Sequence, residues 1–142
     1  IDCPPSFGML TINALSAADN ILIPVQAQYL PAKGMTKLLN TIGKVKHQIN
    51  PKVDILGVAI TLANMQTNLG KSTVETIREN YGKHIKVFNS IIPIGVKAAE
   101  TSVSGKSVYQ HAKDSNVAKA YEDLTKEITK IERSKHKGAP ER

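Results

Sequence analysis

Tryptophan is absent, and two phenylalanines and four tyrosines are the only aromatic residues. Isoleucine, valine, leucine and alanine must therefore fill any core. Long apolar runs are also missing: stretches such as residues 21–25 fall far short of the roughly 20 residues a membrane-spanning helix needs. Cys3 stands alone, which excludes a disulfide framework, and beside Pro4 it reads as a small buried side chain. No leader-like pattern opens the sequence, so a cytoplasmic protein is expected. Acidic residues are the scarcer sign, 12 against 19 Lys and Arg, for a formal charge of +7. Such an excess suits a polyanion, although part of it sits in a Lys- and Arg-rich stretch from Lys126 that reads equally well as a solvated tail.

What is present describes a globular chain. With 142 residues, 41% of them hydrophobic and 22% charged, one domain with a real core is expected, over residues 1–133, followed by a loose basic tail over 134–142. Ile1 reads as the last residue of a buried strand, with Asp2 at its carboxyl end and Pro4-Pro5 enforcing a turn. A domain rarely starts there, so the sequence is expected to be a fragment. Ser6 is a candidate N-cap for a helix through Ala18. Residues 21–25 then read as a strand buried on both faces, 32–49 as a helix stopped by Asn50-Pro51, and 53–61 as a second buried strand. A helix over 69–81, a brief strand over 85–88, an irregular segment through Lys106 and a last helix over 116–133 complete the pattern. Strands alternating with amphipathic helices predict an α/β fold: part of a doubly wound, mostly parallel sheet with helices on both faces. Ligands of such sheets bind at the carboxyl ends of the strands, where Asp2 and the residues after Thr61 and Pro93 fall.

Two segments end like a phosphate-binding loop, G-x-x-x-x-G-K-[ST]. Gly70-Lys71-Ser72 has Met65 where the first glycine belongs, and Gly105-Lys106-Ser107 has Glu100 there, so both read as a helix start or a turn. His47, His84, His111 and His136 are scattered without ligand spacing and read as solvent-exposed. Asp2 differs, because an acid ending a buried strand is where phosphate-loop NTPases orient magnesium and its waters.

The opening I-D-C-P-P-S-F-G-M-L-T-I-N-A-L-S-A-A-D resembles the switch II region of ParA/Soj partition ATPases, whose D-x-P-P-S precedes a helix and a strand ending L-I-P-V-Q, here Ile21 to Gln26. The resemblance continues through Tyr29-Leu30, Lys33-Gly34, Ile55 to Val58, Gln66-Thr67-Asn68, Ile92-Pro93, Val96 to Thr101, Gly105-Lys106-Ser107 and the last helix. It is strongest with the Soj-like branch of mobile elements. It implies a deviant-Walker ATPase of the P-loop NTPase fold, ParA/MinD-like, that holds ATP and Mg between the subunits of a homodimer. The ATP-bound dimer would bind DNA nonspecifically and answer to a ParB-like stimulating protein. By the same resemblance, Asp2 acts on magnesium through water as the catalytic carboxylate, and Pro4, Pro5, Ser6, Phe7 and Gly8 form switch II. Thr61, Asn64, Pro93 and Val96 fall where the family packs loops around adenine. Gln66 and Lys97 stand where relatives carry DNA-contacting arginines, with Lys71 and Lys106 as supporting cations. The family's glycine-rich loop is not in these residues, so the 142-residue chain alone is expected not to hydrolyse ATP.

Two other readings remain open. A membrane-cycling relative of the MinD kind would need a bulky apolar cluster near the end, which the final nine residues lack, so no membrane partner is expected. A noncatalytic DNA-binding remnant would leave sheet edge and apolar surface exposed, and would be poorly soluble.

Overall fold

The stretch Val-Asp-Ile-Leu-Gly-Val-Ala-Ile is rich in β-branched side chains, which suit a pleated, buried surface. In a computed structural model that describes residues 1–4, 6, 8–27 and 32–137, it builds the central strand. That strand, β2 (Asp54–Ala63), lies between β1 (Asn20–Gln26) and β3 (Val87–Pro93), parallel to both. Parallel neighbours require crossovers, here α2 (Ala32–Gln48) and α3 (Asn68–Tyr81). A first helix, α1 (Met9–Ala17), precedes β1, while α4 (Val96–Ser104), α5 (Val108–Ala112) and α6 (Asn116–Lys137) follow β3.

Helices cover both faces. Leu15 of α1, Met35, Ile42 and Val45 of α2, and Val74 and Ile77 of α3 pack on Ile23, Val25, Val58 and Ile60. On the opposite face, Val117 and Leu124 of α6 pack on Leu56, Ala59, Phe88 and Ile92. This is the expected α/β architecture of a doubly wound parallel sheet, in three strands among the described residues. Asn50 fastens it at one corner, donating from Nδ2 to the carbonyls of Leu15 (3.2 Å) and Ala18 (2.8 Å) just where α2 stops.

Gly57 decides which β2 side chains face which layer. In a regular strand Leu56 and Val58 would share a face, yet they belong to opposite cores. A bulge explains this: Ile21 pairs with Ile55 and Leu22 with Gly57, so one extra residue of β2 is spent there. Gly57 takes φ +156, and a Cβ on it would meet Phe88 Cε2 at 2.7 Å and the Lys86 carbonyl oxygen at 2.8 Å.

The outer strand β3 is irregular, with Val87 opposite Val58 but Ile91 opposite Ile60. The surplus residues free backbone groups that side chains take up. Glu127 of α6 accepts from the N–H groups of Asn89 (3.0 Å) and Ser90 (2.7 Å) and from the Ser90 hydroxyl. From the other layer, Arg78 donates to the carbonyls of Phe88 (3.3 Å) and Asn89 (3.2 Å). Partial burial works against the Glu127 charge, but the Ser90 hydroxyl and the two N–H donors, with Lys86 nearby, outweigh it and hold the carboxyl below the usual range. A depressed carboxyl pKa means stability that is present above the unfolded value and is lost as pH falls through the folded one. Glu127→Gln is therefore expected to cost about 1–2 kcal/mol at pH 7 and to flatten the acid limb of the stability profile below pH 5. Urea melts from pH 3 to 7 measure both, and a variant with an unchanged acid limb would contradict the assignment.

Several expectations need correction. Ile1 is in no strand and is 92% exposed, because one residue has no ladder of its own to join. Cys3, in the same irregular stretch, is exposed rather than buried. Gly8, not Ser6, precedes α1 as its N-cap, and no side chain caps it. Strand β1 is buried on one face only: Ile23 and Val25 are covered, while Leu22 and Pro24 are exposed, since α6 packs over β3 on that side. The third strand spans 87–93 instead of 85–88, and the segment expected to be irregular through Lys106 is helical over Val96–Ser104. The last helix continues to Lys137, past the expected end at Arg133.

Candidate functional site

The carboxyl ends of the three strands are laced together. The Ala27 amide donates to the Thr61 carbonyl (2.9 Å), and the Thr61 hydroxyl reaches the Val25 carbonyl (3.4 Å). The Ile94 amide donates to the Ala63 carbonyl (3.2 Å). Thr61, near the end of β2, is thus tied to the end of β1, while Ala63, next to Asn64, is tied to Pro93 and Ile94 just before α4, where Val96 is 74% exposed. Leu62 takes φ 50 between them, a left-handed conformation that a branched side chain rarely adopts. The chain then turns at once: the Asn64 side chain accepts from the Gln66 amide, and the Asn64 carbonyl accepts from the Thr67 hydroxyl (3.0 Å).

That turn decides the fate of Gly70-Lys71-Ser72. Thr67 caps α3 by accepting from the Gly70 amide (3.1 Å), and its carbonyl accepts from the Lys71 amide (3.2 Å). The N–H groups a phosphate loop would offer are spent on starting a helix. Gly105 ends α4 as a left-handed C-cap, with its amide bonded to the Thr101 carbonyl. Neither segment is a phosphate loop.

At the other end of the site, Asp2 is exposed. The Pro4 carbonyl accepts from the Ser6 amide (2.7 Å), and the Ser6 carbonyl accepts from the Thr11 hydroxyl (2.5 Å), which anchors this segment to α1. Pro5 and Phe7, with Tyr29 and Leu30, lie outside the described residues. Among the described residues no hydrogen bond or ion pair joins Asp2 to the two strand-end loops, nor is any group of three or more metal-ligating side chains found among them.

The residues expected to face DNA lie on separate elements. Gln66, Lys71 and Lys106 are exposed on the Asn64 turn, the first turns of α3 and the α4–α5 link. Lys97 is held: its ammonium lies 3.0 Å from Glu100 Oε2, and the same oxygen is 2.7 Å from His111 Nε2. The Glu100 carboxyl is kept below the usual carboxylate range by the His111 hydrogen bond first and by Lys97 second. His111 is thus partnered and largely covered, whereas His47 and His84 are exposed as expected.

Some of this was readable. Lys97 and Glu100 stand three apart, the spacing of neighbours on a helix, and Ser107-Val-Tyr-Gln110 carries the S-x-x-Q signature of the capping box that starts α5. The approach of His111 to Glu100 crosses the left-handed turn at Gly105, which no spacing rule announces.

Comparison with known proteins agrees with this architecture. A family model described as an AAA domain matches residues 1–55. The sporulation initiation inhibitor protein Soj of Bacillus subtilis is 40% identical over 128 residues, which is 90% of this chain and 50% of that protein. The chromosome partitioning protein ParA of Caulobacter vibrioides is 33% identical over 135 residues, 95% of this chain and 50% of that one. Among solved structures, cobyrinic acid a,c-diamide synthase from Mycobacterium smegmatis with bound ADP and magnesium superposes with a TM-score of 0.66 at 30% identity, covering 85% of this chain and 42% of that one. The chain spans about half the length of the curated relatives it matches. By identity sustained over nine-tenths of its length, and by its parallel α/β sheet, the chain belongs to the ParA/Soj family.

Proposed function

We propose that this chain is part of an ATP-dependent DNA-partition ATPase that works in the cytoplasm as a homodimer, binds DNA nonspecifically and responds to a ParB-like protein. The observation that supports it most is the lacing of the strand ends through Ala27, Thr61, Ala63 and Ile94, in a family whose members include chromosome-partitioning proteins. Thr61, Asn64, Pro93 and Val96 would flank the adenine, with the left-handed Leu62 turning the chain between the first two.

The residues present fit part of an ATP–Mg site. Asp2 is an exposed hard carboxylate suited to magnesium through water, and the two strand-end loops offer backbone donors and acceptors. When bound, ATP with magnesium supplies a phosphoanhydride whose charge the metal helps to neutralise. In this reading Asp2 would orient the metal's water shell, and residues 4–8 would report on the phosphate end. The phosphates themselves need backbone N–H groups and a lysine from a glycine-rich loop that these 142 residues do not contain. The isolated chain is therefore expected to release no phosphate from ATP above an Asp2→Ala control; magnesium-dependent release above that control would overturn the assignment.

On the DNA side, Lys97, Lys71 and Lys106 would contact backbone phosphates, and Gln66 would contribute without charge. Retention of random-sequence duplex should fall steeply with salt, and Lys97→Ala should reduce the log–log slope by about 1. Co-flotation with anionic vesicles in place of duplex retention would favour the membrane-cycling alternative; among the described residues no helix is long and apolar enough to cross a membrane.

A further inference from the structure

Two basic side chains from different helices converge on one carboxylate oxygen at the exposed corner between α4 and α5. Lys97 Nζ lies 3.0 Å and His111 Nε2 2.7 Å from Glu100 Oε2. The two donors are already aimed at a single oxygen, and a phosphate oxygen is the same kind of acceptor at the same distances. All three groups retain some exposure, with side chains open by 58% for Lys97, 38% for Glu100 and 25% for His111. Lys106 and Lys113 flank α5, with Asp114 next to Lys113, and neither lysine makes an ion pair among the described residues.

We propose that Lys97 and His111 form a binding site for one backbone phosphate of DNA, and that Glu100 occupies the place of that phosphate until DNA displaces it. This rests on the DNA-binding reading above and adds to it a second phosphate contact, His111, and a built-in competitor, Glu100. An exposed ion pair is weak, so the carboxylate holds the two donors in position yet yields to a polyanion. The depressed Glu100 carboxyl fits a group that remains charged, and hence competes, across the neutral range.

The site has a pH signature. The charged groups facing Glu100 are Lys97 from its own helix and His111 from α5, and among the described residues no charged side chain of α6 makes an ion pair with any of the three. Histidine is the side chain whose charge ordinarily changes between pH 5 and 8. Gaining that charge strengthens the contact to phosphate, because the site then neutralises with two cations instead of one.

The test is duplex binding by the whole chain, read by fluorescence anisotropy against salt at pH 5.8 and pH 8.0. The unaltered chain is expected to show a log–log salt slope steeper by up to about 0.9 at the lower pH. His111→Gln should remove that difference, while His84→Gln, on a remote turn, keeps it. Glu100→Gln should tighten binding at pH 8.0 by about 3- to 10-fold, the equivalent of two weak surface ion pairs. Circular dichroism melts confirm that each variant is folded. A second arm follows the His111 ring C2–H by NMR, where movement on adding duplex, greater than with inorganic phosphate at equal ionic strength, assigns the site to the nucleic-acid backbone. Movement with inorganic phosphate alone would overturn that assignment. Binding that persists but is indifferent to Glu100→Gln and His111→Gln would overturn the site and leave the DNA reading standing. No duplex binding by the unaltered chain at low salt would overturn both.

Discussion

Phe88→Ala is expected to cost about 3–5 kcal/mol, a large part of the 5–15 kcal/mol that holds a typical domain together. Phe88 is 0% exposed and fills the space between β2, β3 and α6, and its ring edge lies where a side chain on Gly57 would otherwise stand. Its neighbours Leu56, Ala59, Ile92, Val117 and Leu124 belong to separate rigid elements, so the cavity left by alanine cannot close by a side-chain shift alone. Aromatic residues are too few for another to take its place. Urea denaturation measures the loss directly, and Phe88→Leu should retain about half of it. A loss below about 1 kcal/mol for alanine would mean that α6 does not pack as described.

Gly70→Ala should be nearly as damaging, by a different route. A Cβ at this position would overlap the Asn64 carbonyl oxygen and lie 2.8 Å from its carbon, both of them backbone atoms. Relief requires moving the Asn64–Thr67 turn, which breaks the Thr67 cap of α3 and disturbs the link from Leu62 to the strand-end site. Overpacking costs about 1–3 kcal/mol and a lost cap about 1 kcal/mol, so a total of about 3 kcal/mol is expected. Gly43 is the control: it lies in α2 with nothing within 4 Å of a built Cβ, so alanine there should stabilise by about 0.5–1 kcal/mol. Paired melts of the two variants read the contrast, and equal effects would show that helix propensity, not the turn, governs position 70.

The elements that were legible in advance share a property: their signal is local. The β-branched run at residues 53–60 marks β2, the apolar spacing from Met35 to Val45 marks α2, and Asn50-Pro51 marks its end. The same holds for the rejection of Gly70-Lys71-Ser72 as a phosphate loop, since Met65 and the polar turn are visible in the sequence. The errors fall where a local pattern needed a neighbour to interpret it. The sequence reads as a brief strand over 85–88 and an irregular segment after it, yet Asn89 and Ser90 lie within β3. The two stay in the strand because Glu127, 38 and 37 residues later, accepts their amides. The Ile21–Val25 run reads as buried on both sides, yet burial depends on which helices lie over it, and one face of β1 is uncovered.

By itself the sequence determined the fold class, the parallel order implied by strand–helix alternation, the family resemblance and the candidate residues at the strand ends, because periodicity, turn chemistry and motif spacing are properties of adjacent residues. Only the tertiary structure decided that Gly57 shifts the faces of β2, that Glu127 and Arg78 complete the backbone bonding of β3, and that Lys97 and His111 share the Glu100 carboxylate. Each of these is a meeting of groups from different elements, fixed by close packing and hydrogen-bond satisfaction across space, to which the order of residues along the chain gives no distance.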